Sequence, residues 1–304
     1  MRVLIVHNPR SGPRSDELYA FIRALGKAGD EVVLRFLGDD LDAADAVADA
    51  RSFDRVVVSG GDGTISSLLY QLRDTHVPIL VFPSGTANLF FNNIGNASEP
   101  AVLAETCRTG RTVTTDMGEL EWEEESGEIK RHGFINIAGT GFDADIMSGA
   151  EESKAEMGQV AYFISAFNNL TPEVAHFTIE CDDGVHERDG IGCMVGNTAV
   201  IQNGVNLFPD CSMTDGLIDV AVIETKATLE LAPTAFAVVI DREGKTLGRP
   251  QFAIYQTREV KITSTPSLNM EYDGEVIKSN TGVFSARALP RCLDLIVDRF
   301  SKLI

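Results

Sequence analysis

The chain has 304 residues, which at roughly 150 residues per domain suggests two domains. Lys and Arg number 26 against 45 Asp and Glu, a formal net charge of −19. That balance excludes non-specific nucleic-acid binding, because no basic surface is available to neutralise a run of phosphates. A composition of 44% hydrophobic and 23% charged residues excludes a disordered chain.

The longest apolar stretches, such as 231–240, fall short of the roughly 20 residues that a membrane span needs. Met1 to Asn8 has too short an apolar core for a secretory leader, so a cytoplasmic location is expected. Cys107, Cys181, Cys193, Cys211 and Cys292 include no C-x-x-C pair, so neither a disulfide framework nor a zinc site is expected. They read as reduced thiols, mostly in the core.

In chain order, Val3–Val6, Val32–Phe36, Arg55–Ser59 and Ile79–Phe82 are short, apolar, β-rich runs and predict strands. Leu18, Phe21, Ile22 and Leu25 predict a helix with one buried face, with Ser15 as its N-cap and Asp16 and Glu17 in its first turn. Ile65, Leu68, Leu69 and Leu72 predict a second helix after the third strand. Repeated strand–helix units with continuously apolar strands imply a doubly wound parallel sheet over residues 1–117.

From about Asp116 the period changes to two. Phe177, Ile179 and Cys181 alternate with polar neighbours, as do Ile218, Val220 and Val222, and Leu268, Met270 and Tyr272. Turns at Ser126-Gly127, Asp183-Gly184 and Asp273-Gly274 mark hairpins. Residues 118–287 therefore read as a mainly antiparallel β domain, with one helix carrying Val160, Phe163, Ile164 and Phe167. The tail, 288–304, is expected to return as a strand to either domain.

Val56 to Thr64 (VVVSGGDGT) runs from a strand through Gly60, Gly61, Asp62 and Gly63 into a helix. Glycines allow close backbone approach, and the helix start presents N–H groups to phosphate. No Gly-Lys-Ser/Thr follows, so this is not a Walker A loop. FPSGTAN (Phe82 to Asn88) repeats the arrangement one strand later, and NPRSG (Asn8 to Gly12) closes the first strand. In a doubly wound sheet these three turns share the carboxyl edge where ligands bind.

With AGTGFDA (Ala138 to Ala144), GQVAY (Gly158 to Tyr162), TDGLIDV (Thr214 to Val220) and DGE (Asp273 to Glu275), these motifs resemble the diacylglycerol kinase catalytic-domain family of lipid kinases. That family includes bacterial diacylglycerol and YegS-like kinases and the sphingosine and ceramide kinases. The resemblance covers nearly the whole chain. GGDGT alone is shared with NAD kinases, and the later motifs favour the lipid-kinase branch.

The resemblance implies an NAD-kinase-like α/β domain and a β-sandwich domain, with ATP in the cleft between them. Asn8, Gly60, Gly61, Gly63, Thr64, Ser84, Gly85, Thr86 and Asn88 would bind the nucleotide. Asp62 would act through Mg²⁺ or on the acceptor hydroxyl, Asp215 would be a second metal ligand, and Glu275 would take the proton from the lipid alcohol. The γ-phosphate would pass to a hydroxyl of a diacylglycerol, ceramide or sphingoid-like lipid, with transient contact at a membrane surface. The chain departs from the family where an Asn-Glu pair usually follows GGDGT, with Ser66 and Ser67 here, and where Asp usually follows G-T-x-N, with Leu89 here. Both changes remove carboxylates, which keeps two alternatives open: a kinase of a soluble alcohol and a nucleotide- or lipid-binding protein without turnover.

Arg10 and Arg14 flank the first turn and are candidates to stabilise transferring charge, solvated loop arginines being an equal account. Arg242, Lys245 and Arg249 form the only local basic cluster of the β domain. It reads as a surface loop or as a weak site for anionic lipid. Phe90, Phe91, Phe163 and Phe167 are candidates to line an acyl pocket, although such stripes are usually core.

Overall fold

A computed structural model describes residues 1–12, 15–124, 126–141, 172–201, 205–277 and 281–303. The expected helix with Val160, Phe163, Ile164 and Phe167, the GQVAY run, Arg14, and residues 142–144 of AGTGFDA lie outside the described residues. The chain divides into two compact units: 1–117 with 213–215 and 289–304, and 118–212 with 216–288.

In the first unit, β1 (Arg2–His7), β2 (Glu31–Phe36), β3 (Arg55–Gly60) and β4 (Ile79–Pro83) pair in parallel in the order β2-β1-β3-β4. Val3 to Val6, Val56 to Val58 and Ile79 to Phe82 are almost wholly buried. Strands so apolar along their length need cover on both faces. That cover comes from α1 (Ser15–Lys27) packed with α5 (Pro100–Thr109), and from α2 (Ala43–Val47) packed with α3 (Asp62–Leu72). α1 turns Leu18, Phe21 and Leu25 inward, and α3 turns Ile65, Leu68, Leu69 and Leu72 inward. The short α4 (Leu89–Ile94) buries Phe90 and Phe91.

The second unit is antiparallel. β5 (Arg111–Glu123) pairs with β6 (Ile129–Phe134), and β8 (Ala175–Cys181) pairs with both β9 (Gly184–Gly190) and β15 (Glu259–Thr265). A second sheet takes the order β14-β13-β10-β7-β16-β17, built from β7 (Ile137–Gly141), β10 (Gly192–Gly196), β13 (Ile218–Ile223), β14 (Phe252–Thr257), β16 (Met270–Tyr272) and β17 (Glu275–Ile277). The short strands β11 (Val200–Ile201) and β12 (Val205–Asn206) pair with each other, and the helix α6 (Ala232–Ile240) follows β13. Phe134, Phe177, Ile179, Ile262 and Phe284 from the first sheet pack with Ala138, Val195, Val220 and Met270 from the second, the core of a sandwich.

One expectation is corrected. The alternation expected over Ile218–Val222 does not hold in β13, where all six residues are buried, including Asp219 and Ala221. Its Ile218, Val220 and Val222 face the sandwich core, and its Ala221 and Ile223 join a second cluster with Leu207, Phe208 and Leu231 on the opposite face. The last strand, β18 (Val283–Val297), is 15 residues long. Residues 283–287 pair with β15 in the second unit, and Leu295 pairs with Ile79 in the first. All five cysteines are free. Among the described residues, no helix is long and apolar enough to cross a membrane, which says nothing of a β-barrel.

Candidate active site

The carboxyl ends of β1, β3 and β4 bring the three glycine-containing turns of the first unit together. Asn8 Nδ2 donates to Thr64 Oγ1 at 2.8 Å, joining the first turn to the second. Gly12 has φ +61°, and a Cβ there would lie 2.2 Å from the Ser84 carbonyl oxygen. A Cβ on Gly85 would lie 2.6 Å from Gly61 Cα. Glycine is therefore required at both positions for the turns to interlock. Around Gly61 a Cβ would meet nothing within 4 Å, so the mouth of the GGDGT turn is open.

Gly61 is the N-cap of α3, with Asp62, Gly63 and Thr64 in the first turn. The first amides of a helix have no intrahelical partner and favour anions. In the third turn, Asn88 adopts a left-handed conformation with φ +49°. It holds that shape by accepting the Gly85 N–H at 2.8 Å and donating back to the Gly85 carbonyl at 2.9 Å. Ser84 is buried and Thr86 is exposed at the tip.

Asp62 does work that the sequence did not suggest. Its Oδ2 accepts the Leu89 N–H at 3.1 Å and its Oδ1 the Phe90 N–H at 3.0 Å, so it caps α4. A carboxylate is favoured at that end of a helix. A further group escaped the sequence reading. Buried His7 places Nδ1 3.0 Å from Ser59 Oγ, which lies 2.6 Å from Ser84 Oγ. This chain crosses β1, β3 and β4 just behind the turns, and burial lowers the His7 pKa against a smaller opposing hydrogen bond to Ser59. Nothing in the local pattern separates such a histidine from an ordinary core residue.

Asp215 is exposed at the Thr214–Gly216 turn, where Gly216 has φ +77°. Among the described residues no group of three or more His, Cys, Asp or Glu side chains is arranged to hold a metal. Arg10 is exposed and pairs with Asp39 at 3.0 Å. Arg249 is no surface residue: it is buried, and its guanidinium donates to the carbonyls of Asn206, Asp241, Arg242 and Gly248.

In the second unit, Asp273-Gly274 forms the β16–β17 turn, with φ +46° and +88°, the two positive values of a tight hairpin turn. The Asp273 carboxylate accepts the N–H groups of Ile135, Asn136 and Ile137, at 2.8, 2.8 and 3.3 Å. Glu275 follows, exposed, and accepts the Tyr272 hydroxyl at 3.2 Å. Burial raises the Tyr272 pKa, with the Glu275 charge adding to it, so the phenol stays a donor. Its ring sits between Trp122 and His132, with centroids 6.0 and 4.7 Å away.

Residues 2–120 match the diacylglycerol kinase catalytic domain, and residues 136–297 match the YegS C-terminal NAD kinase beta sandwich-like domain. The chain belongs to the diacylglycerol kinase and YegS-like family of lipid kinases. It is 28% identical over 287 residues to a protein named diacylglycerol kinase from Mycobacterium tuberculosis strain H37Rv, covering 90% of this chain and 88% of that one. It is 25% identical over 283 residues to the diacylglycerol kinase of Bacillus subtilis strain 168, covering 90% and 89%. The fold matches the crystal structure of a diacylglycerol kinase from Bacillus anthracis str. Sterne with a TM-score of 0.71 and 21% identity, over 98% of this chain and 97% of that one. The α/β and antiparallel architecture of this lipid kinase is thus that of its relatives.

Proposed function

We propose that this lipid kinase transfers the γ-phosphoryl group of ATP to a hydroxyl of a diacylglycerol, ceramide or sphingoid-like lipid. The observation that carries the reading is the interlocking of the Asn8–Gly12, Gly60–Thr64 and Ser84–Asn88 turns at one sheet edge, beside an open helix N-terminus. Phosphoryl transfer needs positioning and charge neutralisation more than covalent help. Asn8, Gly60, Gly61, Gly63, Thr64, Ser84, Gly85, Thr86 and Asn88 are the residues assigned to the nucleotide. Glu275 is assigned as the base, supported by its exposure and by the fixed Tyr272 hydroxyl that orients it.

Asp62 and Asp215 are the residues that would hold Mg²⁺. The ion is ordinarily bound through one or two carboxylates with water and phosphate oxygens completing its shell, the role that these two acids would take. When bound, it would supply neutralisation of charge on the phosphate oxygens.

A second reading, nucleotide or lipid binding without turnover, draws on the engagement of Asp62 by α4 and on Ser66, Ser67 and Leu89 standing where the family pattern usually has an Asn-Glu pair and Asp. The deciding experiment is transfer of label from γ-³²P-ATP into a total lipid extract by wild type, Asp62→Asn and Glu275→Gln. A labelled lipid that is lost in both variants supports the kinase and names its acceptor class. Nucleotide binding with no labelled lipid supports the second reading, or a soluble acceptor if label appears in the aqueous phase.

A further inference from the structure

We infer that α6 and the loop that follows it form the surface by which this chain docks on a lipid bilayer bearing anionic headgroups. The inference rests on the lipid-kinase reading, since such an enzyme must meet a substrate dissolved in a membrane.

α6 is apolar on both sides. Thr234 and Ala237 point inward and are buried, with Leu231 just before them. Pro233, Phe236 and Ile240, at i, i+3 and i+7, share the outer face. Phe236 is 65% exposed and Ile240 62%, and Leu247 in the following loop is 47% exposed. A helix carrying large apolar side chains on its solvent face is the arrangement that enters a bilayer interface.

The loop is built to hold this display. The Asp241 carboxylate accepts the N–H groups of Gly244, Thr246 and Leu247 at 3.0, 2.6 and 2.7 Å. From beneath, buried Arg249 donates to four backbone carbonyls of the loop and β12. Thr234 Oγ1 donates to Gln251 Oε1 at 2.8 Å, fixing α6 to the residue just before β14. Leu247 is thereby held outward, with Arg242 and Lys245 exposed beside it.

Charge chooses the occupant. The chain carries −19 overall, yet along residues 226–249, with Arg249 buried, the side chains of Lys226, Arg242 and Lys245 balance those of Glu230, Asp241 and Glu243. An acidic protein has here a patch that anionic headgroups do not repel. Three exposed apolar side chains, Phe236, Ile240 and Leu247, are a small fraction of the roughly 20–30 residues a side of a stable dimer interface, which disfavours a second copy.

The test is co-sedimentation with phosphatidylcholine vesicles, with and without phosphatidylglycerol. Wild type is expected to bind, and more when phosphatidylglycerol is present. Phe236→Ser/Ile240→Ser should lower the bound fraction roughly tenfold or more on either vesicle, with an unchanged thermal midpoint. Arg242→Glu/Lys245→Glu should abolish only the increment from phosphatidylglycerol. In Phe236→Trp, brominated lipid should quench the new indole, whereas Trp122 is buried in the wild type. Vesicle binding unchanged by the serine pair, or a wild-type dimer that this pair splits, would overturn the docking surface. Phosphorylation of a short-chain lipid monomer tests the underlying reading separately. Wild type that binds vesicles through α6 but never labels a lipid refutes the kinase reading alone. Wild type that labels the lipid while the serine pair binds normally refutes the surface alone.

Discussion

The Asp62 carboxylate accepts the backbone N–H of Phe90 at 3.0 Å, so the acid of one turn caps the helix leaving the next. An asparagine at 62 keeps one acceptor and turns a donor toward the other amide, at a cost of about 1–3 kcal/mol. Asp62→Asn is therefore expected to unfold several degrees below wild type with neither nucleotide nor Mg²⁺ present. An unchanged midpoint together with lost phosphate transfer would confine Asp62 to ligand binding.

Gly12 and Gly61 should respond differently to the same added methyl group. Gly12→Ala meets the Ser84 carbonyl from a left-handed backbone, and should lower both stability and ATP affinity. Gly61→Ala has space and a φ of −79°, so its thermal midpoint should stay near wild type while the methyl group intrudes on the turn mouth. Calorimetric ATP titration beside thermal unfolding separates the two. Tight ATP binding by Gly61→Ala would remove this turn from the nucleotide site.

Two neighbouring acids of the β16–β17 hairpin have separable tasks. Asp273→Ala strands three backbone N–H groups and should destabilise by about 3 kcal/mol or more. Glu275→Gln should leave the urea unfolding midpoint unchanged and lower kcat by roughly 10²–10⁴, as loss of a general base does. A Glu275→Gln enzyme at wild-type kcat would return Glu275 to the role of a solvated hairpin residue.

His7 gives stability a pH dependence of fixed sign. Burial holds its folded pKa below the ordinary 6.5, so the unfolded chain takes up the proton first. Stability attributable to this site is intact above pH 6.5 and falls as pH drops from there through the folded pKa. Exposed His176 works in the opposite direction, because Asp189 and then Glu187 raise its pKa and its contribution fades at higher pH. The comparison of wild type with His7→Gln isolates the buried group: the variant should lose less stability between pH 7 and 5. Parallel curves would show that His7 does not titrate there.

The parallel half was legible because β1, β3 and β4 are apolar on both faces and end at glycine or proline turns, each cue local in sequence. The hairpins at Gly127, Gly184 and Gly274 were legible for the same reason, each with a left-handed or wider positive φ that glycine supplies. β13 was misread because period two reports one buried face, whereas this strand lies between β10 and β14 with a hydrophobic cluster on each side. Arg249 looked like a surface cation because sequence records its charge and not the four carbonyls around it. The second task of Asp62 was hidden likewise, since its partners lie 27 and 28 residues ahead.

The strand β18 sets a condition on how the polypeptide is made. Asn96 donates to the Ile296 carbonyl 200 residues away, and Ala97 donates its N–H to Asp298. Leu295 supplies the outer neighbour of β4. The first unit thus stays one strand short while the whole second unit is translated, and its β4 edge is exposed to unwanted pairing throughout that interval. Deleting residues 289–303 would leave every nucleotide-turn residue in place and still deny the turns a finished sheet.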